Sequence, residues 1–237
     1  MKNSLRLIIL FVFILALFGL YSFANQKFAT RKCTGITVYF HPENPGLITP
    51  DAVNKLLIQN KDTVTNRLLD NLILNEMETA LADHPMIKEA QVFVDVKGQL
   101  QAVVWARKPI ARVMSKEGFY IDADGQAVPL STQKTMHVPI VTGAVANWET
   151  VLPLLLEIPK DAFLQKAITE VIIKPNQDVV LKIRSYNLDV YFGKPIAVSQ
   201  KLRNFKAFYK KIQADNRLDI YQQVNLKFNN QVIPTKR

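Results

Sequence analysis

The sequence predicts an α+β fold: an N-terminal transmembrane helix, a small β-α-α-β-β domain, and then a mostly antiparallel β-domain with flanking helices. Three observations predict it. Residues 7–24 form an apolar run of 18 residues without a charge. Between residues 36 and 107, strand and helix periodicities follow one another in that order. After residue 109, short strands separated by turn residues dominate.

The apolar run indicates where the chain meets a membrane. At about 1.5 Å per residue it spans roughly 27 Å, close to the hydrocarbon thickness of a bilayer. We therefore expect a signal anchor at 7–24, a cytoplasmic tail at 1–6 and a juxtamembrane linker at 25–32. A cleavable signal peptide ending at Ser22-Phe23-Ala24 remains the alternative. Both interpretations place residues 25–237 outside the cytoplasm.

The net charge of +10 is unevenly distributed. Residues 1–32 carry 5 basic and no acidic side chains, and residues 111–237 carry 18 basic and 11 acidic ones. No nucleic-acid-binding motif accompanies this charge, and export removes that partner. The pattern favours a solvated helix face near anionic lipid headgroups. Residues 196–217 contain one acid, Asp215, and six basic residues: Lys201, Arg203, Lys206, Lys210, Lys211 and Arg217.

Residues that carry chemistry are scarce. Cys33 is the single cysteine, and the three histidines at 41, 84 and 137 are scattered. No P-loop, HExxH or GxSxG motif is present. The run Asp122-Ala123-Asp124-Gly125 predicts a β-turn, since it lacks the further oxygen ligands of a calcium loop. We therefore predict no catalytic, metal-binding or cofactor-binding residues.

The first exported segment has a clear element order. Residues 36–40 alternate as a strand, and Thr49-Pro50-Asp51 opens a helix whose stripe is Val53, Leu56 and Leu57. A second helix is predicted from Asn75, with Glu78 completing a capping box and Met77 and Leu81 on one face, ending at His84-Pro85. A hairpin follows, with its turn at Lys97-Gly98. One face of its first strand is formed by Ala90, Val92, Val94 and Val96, and one face of its return strand by Leu100, Ala102, Val104 and Ala106.

The second exported segment reads as a series of short strands. They are predicted around 111–114, 119–121, 128–130, 138–141, 171–173, 179–183, 188–192 and 224–228. A helical stretch around 148–167 interrupts the series. A second helix is predicted from an apolar stripe opposite the lysines, formed by Val198, Leu202, Phe205, Phe208, Tyr209 and Ile212.

The end of the chain suggests a binding surface. The strand at 224–228 is predicted to turn at Asn229-Asn230 and to continue at 231–233, before Pro234 stops it. A terminal strand at a sheet edge offers unpaired backbone groups to a partner's strand. The alternative, in which the strand only completes its own sheet, stays open at this point.

Five stretches carry a recognisable pattern: MIKEAQVFVDVKGQLQAVVWARKPIARV at 86–113, GFYIDADGQAVPLS at 118–131, VPIVTG at 138–143, KLRNFKAFYKKI at 201–212 and YQQVNLKFNNQV at 221–232. Together with the element order, these stretches resemble the FtsQ/DivIB family of bacterial cell-division proteins. The resemblance implies a POTRA-like domain at 33–109 and an FtsQ-type β-domain at 110–237. It also implies a non-enzymatic, single-pass inner-membrane scaffold of the divisome. Most of that scaffold would lie in the periplasm at the septum, and it would bind FtsB-like and FtsL-like partners.

The resemblance also implies a mode of binding, strand addition at the last strand. The family's Asp-Leu-Arg-Tyr run is similar to Asn225-Leu226-Lys227-Phe228, so three of the four side chains differ. Backbone pairing survives such changes, whereas side-chain specificity need not. The partner-binding residues predicted in this way are Val224, Leu226, Lys227, Phe228, Asn229, Asn230, Gln231 and Val232.

Two other classes of protein compete with the scaffold. POTRA units also occur in outer-membrane assembly and secretion factors, which would need many barrel strands. Only 129 residues follow Lys108, and they include two helical stretches, so this class ranks lower. An exported enzyme acting on envelope polymers would need a deep cleft with convergent polar side chains.

Overall fold

The computed structural model of the chain describes residues 2–29, 35–41, 44–59, 71–96, 98–184, 188–228 and 231–237. The chain divides into two compact units. The first comprises Met1–Glu43 and Ile48–Ala106, and the second comprises Asn44–Leu47 and Arg107–Arg237. Each unit has its own cluster of buried apolar side chains. The positions Cys33, Lys97, Asn229 and Asn230, named in the sequence analysis, lie outside the described residues.

The N-terminal run is helical, as predicted. Helix α1 covers Lys2–Ala29, and the large apolar side chains described between residues 10 and 23 are exposed. Within the part of the chain that the structure describes, no helix meets the combined length and hydropathy needed to cross a bilayer. The membrane span at 7–24 therefore stays a prediction.

The first unit contains the predicted β-α-α-β-β order. Its strands are β1 (Ile36–Phe40), β2 (Ile87–Val94) and β3 (Leu100–Ala106), arranged β1-β3-β2. Strand β1 runs parallel to β3, and β2 runs antiparallel to it. Helices α2 (Pro50–Gln59) and α3 (Asn71–Ala82) contribute the predicted side chains Val53, Leu57, Met77 and Leu81 to the core. Their burial confirms the helical faces read from the sequence.

The two helix starts had different outcomes. Thr49 caps α2, because its hydroxyl oxygen accepts a hydrogen bond from the Ala52 N–H at 3.3 Å. Helix α3 begins at Asn71, so the capping box predicted at Asn75 and Glu78 is wrong. Glu78 instead lies inside the helix, and its carboxylate accepts the Val92 N–H at 2.6 Å. This hydrogen bond to β2 therefore explains the presence of a glutamate at position 78 better than the predicted capping box does.

The hairpin prediction was correct for its strands but not for its tip. Ala90, Val92, Leu100 and Val104 are buried on the core side. Val96 is 84% exposed and lies beyond the end of β2, so its predicted place on the buried face is wrong. The strand ends at Val94 because Asp95 already belongs to the turn, where its carbonyl accepts the Gly98 N–H at 3.0 Å.

The second unit is built on one large sheet. Its described strands are β4 (Pro109–Val113), β5 (Phe119–Asp122), β6 (Ala127–Pro129), β7 (Ile140–Gly143), β8 (Ile168–Ile173), β9 (Val179–Ile183), β10 (Asp189–Gly193), β11 (Tyr221–Asn225) and β12 (Ile233–Lys236). Their order is β12-β11-β10-β9-β8-β7-β4-β5-β6. Strands β6 and β12 therefore form the two edges.

Most neighbours in this sheet are antiparallel, which confirms the predicted arrangement. Among the described pairs, β4 with β7, β7 with β8, and β10 with β11 are parallel. Two of these parallel pairs coincide with helical connections, between β7 and β8 and between β10 and β11. A helix that crosses the sheet returns the chain to the end where it started, which makes the next strand parallel.

The helices cover the sheet with apolar side chains. The predicted stretch 148–167 is a series of short pieces: a 3₁₀ helix at Val145–Val151, α4 (Leu152–Glu157), a 3₁₀ helix at Ile158–Lys160 and α5 (Ala162–Ala167). Helix α6 (Val198–Ala214) buries Val198, Leu202, Phe205, Tyr209 and Ile212, as the stripe predicted. Lys201 is an exception to the predicted solvated lysines, because only 2% of it is exposed.

The acidic run after β5 forms the predicted β-turn, in which the Gly125 N–H donates to the Asp122 carbonyl at 3.1 Å. Asp122 is 2% exposed, and its Oδ1 accepts the N–H groups of Asp124 and Gln126 at 3.0 and 2.7 Å. Its Oδ2 accepts Arg107 Nη1 at 2.6 Å. Gly125 takes a φ of +74° in this turn, a value that favours glycine. Arg107 thus holds the turn that joins β5 to β6.

Candidate functional site

The C-terminal ribbon ends in an edge strand. Strand β12 pairs antiparallel with β11, with Asn225 opposite Ile233 and Gln223 opposite Thr235. Among the described strands, none pairs with the other side of β12. All four of its side chains are exposed, including Ile233 at 43%. We call this unpaired side the docking edge, because it can accept the backbone of another strand.

The predicted last strand is displaced along the chain. Strand β11 covers Tyr221–Asn225 rather than 224–228, and it lies between β10 and β12. It ends at Asn225 because the side-chain Oδ1 of that residue accepts the Lys227 N–H at 2.8 Å, which turns the backbone. Both flanks of β11 are therefore occupied, and a partner strand cannot pair with it without displacing β12.

Pro234 does not end the ribbon, contrary to the prediction. It lies inside β12, opposite Val224. Proline lacks an N–H donor, so a sheet tolerates it where one side of the strand faces no neighbour. The residue interpreted as a stop signal is thus compatible with an edge strand.

The predicted partner-binding residues fall into separate environments. Val224 and Leu226 are buried in the core at 0% and 1% exposure, and Val232 is partly buried against it. Lys227, Phe228 and Gln231 are exposed, with Phe228 at 55%. Sequence reasoning missed β12 itself, Ile233–Lys236, although Pro234 was a signal for an edge.

The ribbon leaves the sheet over the end of β10. We call residues 226–228 the root, since they connect β11 to the turn before β12. The Leu226 N–H donates to the Tyr191 carbonyl at 2.8 Å. Gly193 has a φ of +69°, and a Cβ built on it would lie 3.3 Å from Lys227 Cα. The root therefore rests directly on the backbone of residues 191–193.

Polar side chains hold this end of β10. The Tyr191 hydroxyl donates to Asp178 Oδ2 at 2.5 Å, and Asn176 Nδ2 donates to the same oxygen at 3.0 Å. From α6, the buried Lys201 Nζ donates to the carbonyls of Phe192 and Lys194, both at 3.0 Å.

Three pKa shifts follow from these contacts. The hydrogen bond from the Tyr191 hydroxyl is the largest cause that lowers the pKa of Asp178. The same hydrogen bond raises the pKa of Tyr191. Desolvation lowers the pKa of Lys201.

The family assignment rests on the whole second unit. A family model described as FtsQ/DivIB, C-terminal related, matches residues 108–235, more than half of the chain. The chain belongs to the FtsQ/DivIB family. A second model, described as a POTRA-like domain, matches residues 31–105. The "Cell division protein FtsQ" of Salinibacter ruber (strain DSM 13855 / M31) is 25% identical over 206 residues, covering 79% of this chain and 78% of the relative.

Outside the ribbon, the described residues of this FtsQ/DivIB chain include a cavity lined partly by charged side chains. Within the described residues, no group of three or more His, Cys, Asp or Glu side chains could hold a metal ion. A cavity of about 200 Å³ lies between α4, α5 and α6. Its carboxylates are occupied internally, because Glu157 pairs with Lys160 at 2.6 Å and Asp161 pairs with Lys206.

We expect the Asp178–Tyr191 bond of this FtsQ/DivIB chain to make stability depend on pH. A carboxyl whose pKa is lowered by folding stabilises the protein above its unfolded pKa, and that stability is lost as pH falls through the folded pKa. Tyr191→Phe should therefore cost about 1.5–3 kcal/mol near neutral pH, as for a hydrogen bond to a charged group. The cost should begin to shrink below about pH 4, where the carboxyl of the unfolded chain protonates, and should be lost as pH falls through the lowered pKa of folded Asp178.

The measurement is urea unfolding of both proteins at several pH values. Tyr120→Phe is the control, because the Tyr120 hydroxyl accepts the Met136 N–H at 3.0 Å and loses a neutral bond. Its cost should not vary with pH in this range. A Tyr191→Phe cost that stays constant down to the acid limit contradicts the assignment.

Proposed function

We propose that this protein is a single-pass inner-membrane scaffold of the divisome, which binds FtsB-like and FtsL-like partners by strand addition at the docking edge. The carrying observation is that β12 has one side without a described neighbour strand. Membership of a cell-division family supports the divisome as the setting. We propose no catalytic role for it.

Strand addition suits the residues of β12. An added strand gains main-chain hydrogen bonds whatever its side chains are, and alternate side chains then select the partner. Ile233 and Thr235 share one face of β12, and both are exposed. Lys236 and Arg237 lie at the end of the strand and Lys227 in the root, so cations flank the docking edge. These charges favour a partner strand with acidic residues at its ends.

The predicted binding residues keep a place in this proposal. Lys227, Phe228 and Gln231 are exposed beside the start of β12, where a partner's side chains would extend past its paired strand. Val224 and Leu226 would act from the core, by fixing the position of β11 on which β12 is paired. The docking edge thus moves from 224–228 to 233–236, while the mode of binding stays the same.

We further propose that residues 7–24 anchor the chain, with residues 1–6 in the cytoplasm, 25–32 as a linker, and 33–109 and 110–237 as the two periplasmic domains. The exposed apolar side chains of α1 support the anchor, with Phe11 at 66% and Phe18 at 75%. Apolar surface costs about 25 cal/mol per Å² in contact with water, so a lipid environment would stabilise this helix. The septum is the proposed site of action.

Photo-crosslinking in membranes tests this function. A photoreactive amino acid placed at Thr235 should capture an FtsB-like partner from the same cell. The same amino acid at Ala127, an exposed position on the opposite edge strand β6, should not. The full chain should fractionate with the membranes. Capture of the partner from Ala127 alone would contradict the proposed binding site. Recovery of the chain in the soluble fraction would contradict the proposed membrane anchor.

A further inference from the structure

One lysine of α6 does not behave like the others. Lys201 is 2% exposed, whereas Arg203, Lys210 and Lys211 on the same helix are exposed. Burying an ammonium group costs several kcal/mol unless its donors are satisfied. The lowered pKa of Lys201, caused by desolvation, is consistent with that cost. A buried charge in a helix that already has a full apolar stripe needs a reason.

The two carbonyls that Lys201 binds lie on either side of a single residue, Gly193. Its Nζ donates to the carbonyl of Phe192 and to the carbonyl of Lys194, both at 3.0 Å, and lies 4.9 Å from the centre of the Phe192 ring. Gly193 lies between the two carbonyls. Two carbonyls held by one cation cannot move independently, so the backbone of Gly193 is fixed from both sides.

Gly193 in turn supports the root. Its missing side chain lets the backbone of Lys227 approach, because a Cβ would lie 3.3 Å from both Lys227 Cα and Lys227 Cγ. The neighbouring Tyr191 carbonyl accepts the Leu226 N–H at 2.8 Å. These two contacts fix the position and direction of the root, where the chain leaves the sheet towards β12.

We propose that Lys201 is a positioning residue for the docking edge, because its ammonium clamps the carbonyls on either side of Gly193 and thereby fixes the root from which β12 departs. This inference rests on the proposed function of β12. Lys201 touches no partner. It acts through the backbone of Gly193 and Lys227, so its removal should loosen the ribbon before it unfolds the domain.

Hydrogen exchange of the full chain without any partner tests the positioning itself. In Lys201→Met, which keeps the length of the side chain but not its charge, exchange of the Leu226 N–H should become about tenfold faster or more. The β5 amides at 119–122 should keep their rates. Lys210→Met removes an exposed charge from the same helix and should change neither. Equal acceleration in both regions would show a general loss of stability and overturn the proposal.

Partner affinity is the second readout. Lys201→Met should weaken binding of the FtsB-like partner by about tenfold. The control is Val128→Ala, which removes buried apolar atoms from β6, the edge strand at the other end of the sheet. This variant should lower the stability of the second unit but leave the root unchanged. It should bind within about twofold of the parent chain. Equal weakening in both variants would overturn the positioning role.

A variant that does not touch α6 covers the case in which Lys201→Met fails to fold. Gly193→Ala pushes against Lys227 and should accelerate Leu226 exchange in the same way. Gly118→Ala, with a similar φ of +66° and its nearest neighbour at 3.4 Å, is the matched control and should leave Leu226 unchanged. Unchanged Leu226 exchange in Gly193→Ala would overturn the inference. If Leu226 exchange accelerates in these variants but the parent chain binds no partner through β12, the proposed function is wrong. The role of Lys201 in positioning the root would then still hold.

Discussion

Thr235→Pro should strongly weaken partner binding while leaving most of the second unit folded. Thr235 lies in β12 next to Pro234. Pro234 already lacks its N–H in the parent chain, so Thr235→Pro removes one further backbone donor and leaves two consecutive residues of β12 without one. The lost backbone bond costs about 0.5–1.5 kcal/mol, and the distorted strand loses more, so we expect Kd to rise roughly 30-fold or more.

Two controls accompany this variant in an affinity measurement with the purified partner. Thr235→Ala keeps the backbone donor and should bind nearly as well as the parent chain. Ala127→Pro introduces the same residue into the opposite edge strand β6, where Ala127 pairs with Ile121, and should leave binding unchanged. If Thr235→Pro binds as tightly as Thr235→Ala, strand addition at β12 is wrong.

Gly143→Ala should be the most destabilising of these single changes in the second unit. Gly143 ends β7 with a φ of +83°, and a Cβ there would lie 2.2 Å from the carbonyl oxygen of Ile173. That carbonyl is held in place, because it accepts the Ala144 N–H at 2.8 Å. Backbone strain costs about 1–3 kcal/mol, and displacing β8 adds to it, so we expect a loss of about 3 kcal/mol or more.

Gly118→Ala separates strain from collision. Gly118 also has a positive φ, +66°, but its Cβ would lie 3.4 Å from the flexible end of Leu130 and 3.6 Å from the Val113 carbonyl oxygen, with no collision. The expected loss is about 1 kcal/mol, the cost of the left-handed conformation alone. Urea unfolding followed by the fluorescence of Trp148, which packs against the core of this unit, measures both. Equal losses in the two variants would show that the approach of Ile173 to Gly143 is not limiting.

Local patterns predicted much of the fold. Strand β9 at 179–183 and strand β1 at 36–40 have the predicted bounds. The stripe of α6 is buried as its spacing indicated. These predictions were correct because alternation and helical spacing report which side chains leave water, and burial is the largest driving force in both units. Helix α3 starts earlier than predicted, and Glu78, the supposed capping residue, accepts a hydrogen bond from β2.

The docking edge could be predicted only in part. The sequence indicated a C-terminal ribbon and strand addition, but it placed the last strand at 224–228 and ended it at Pro234. Asn225 ends β11 through a hydrogen bond to Lys227, and a register shift between Tyr221 and Gln223 breaks the simple alternation. Lys201 was grouped with the solvated lysines, because no local sequence pattern distinguishes an exposed lysine from a buried one that donates to two carbonyls.

Residues close together along the chain were enough to predict most of the element order, most of the buried faces and the family. The folded structure was needed to show that β11 is interior, that β12 forms the edge, and that Lys201 binds the carbonyls on either side of Gly193. Strand order and register depend on hydrogen bonds between segments far apart in the chain. No periodicity in either segment encodes which neighbour it will meet.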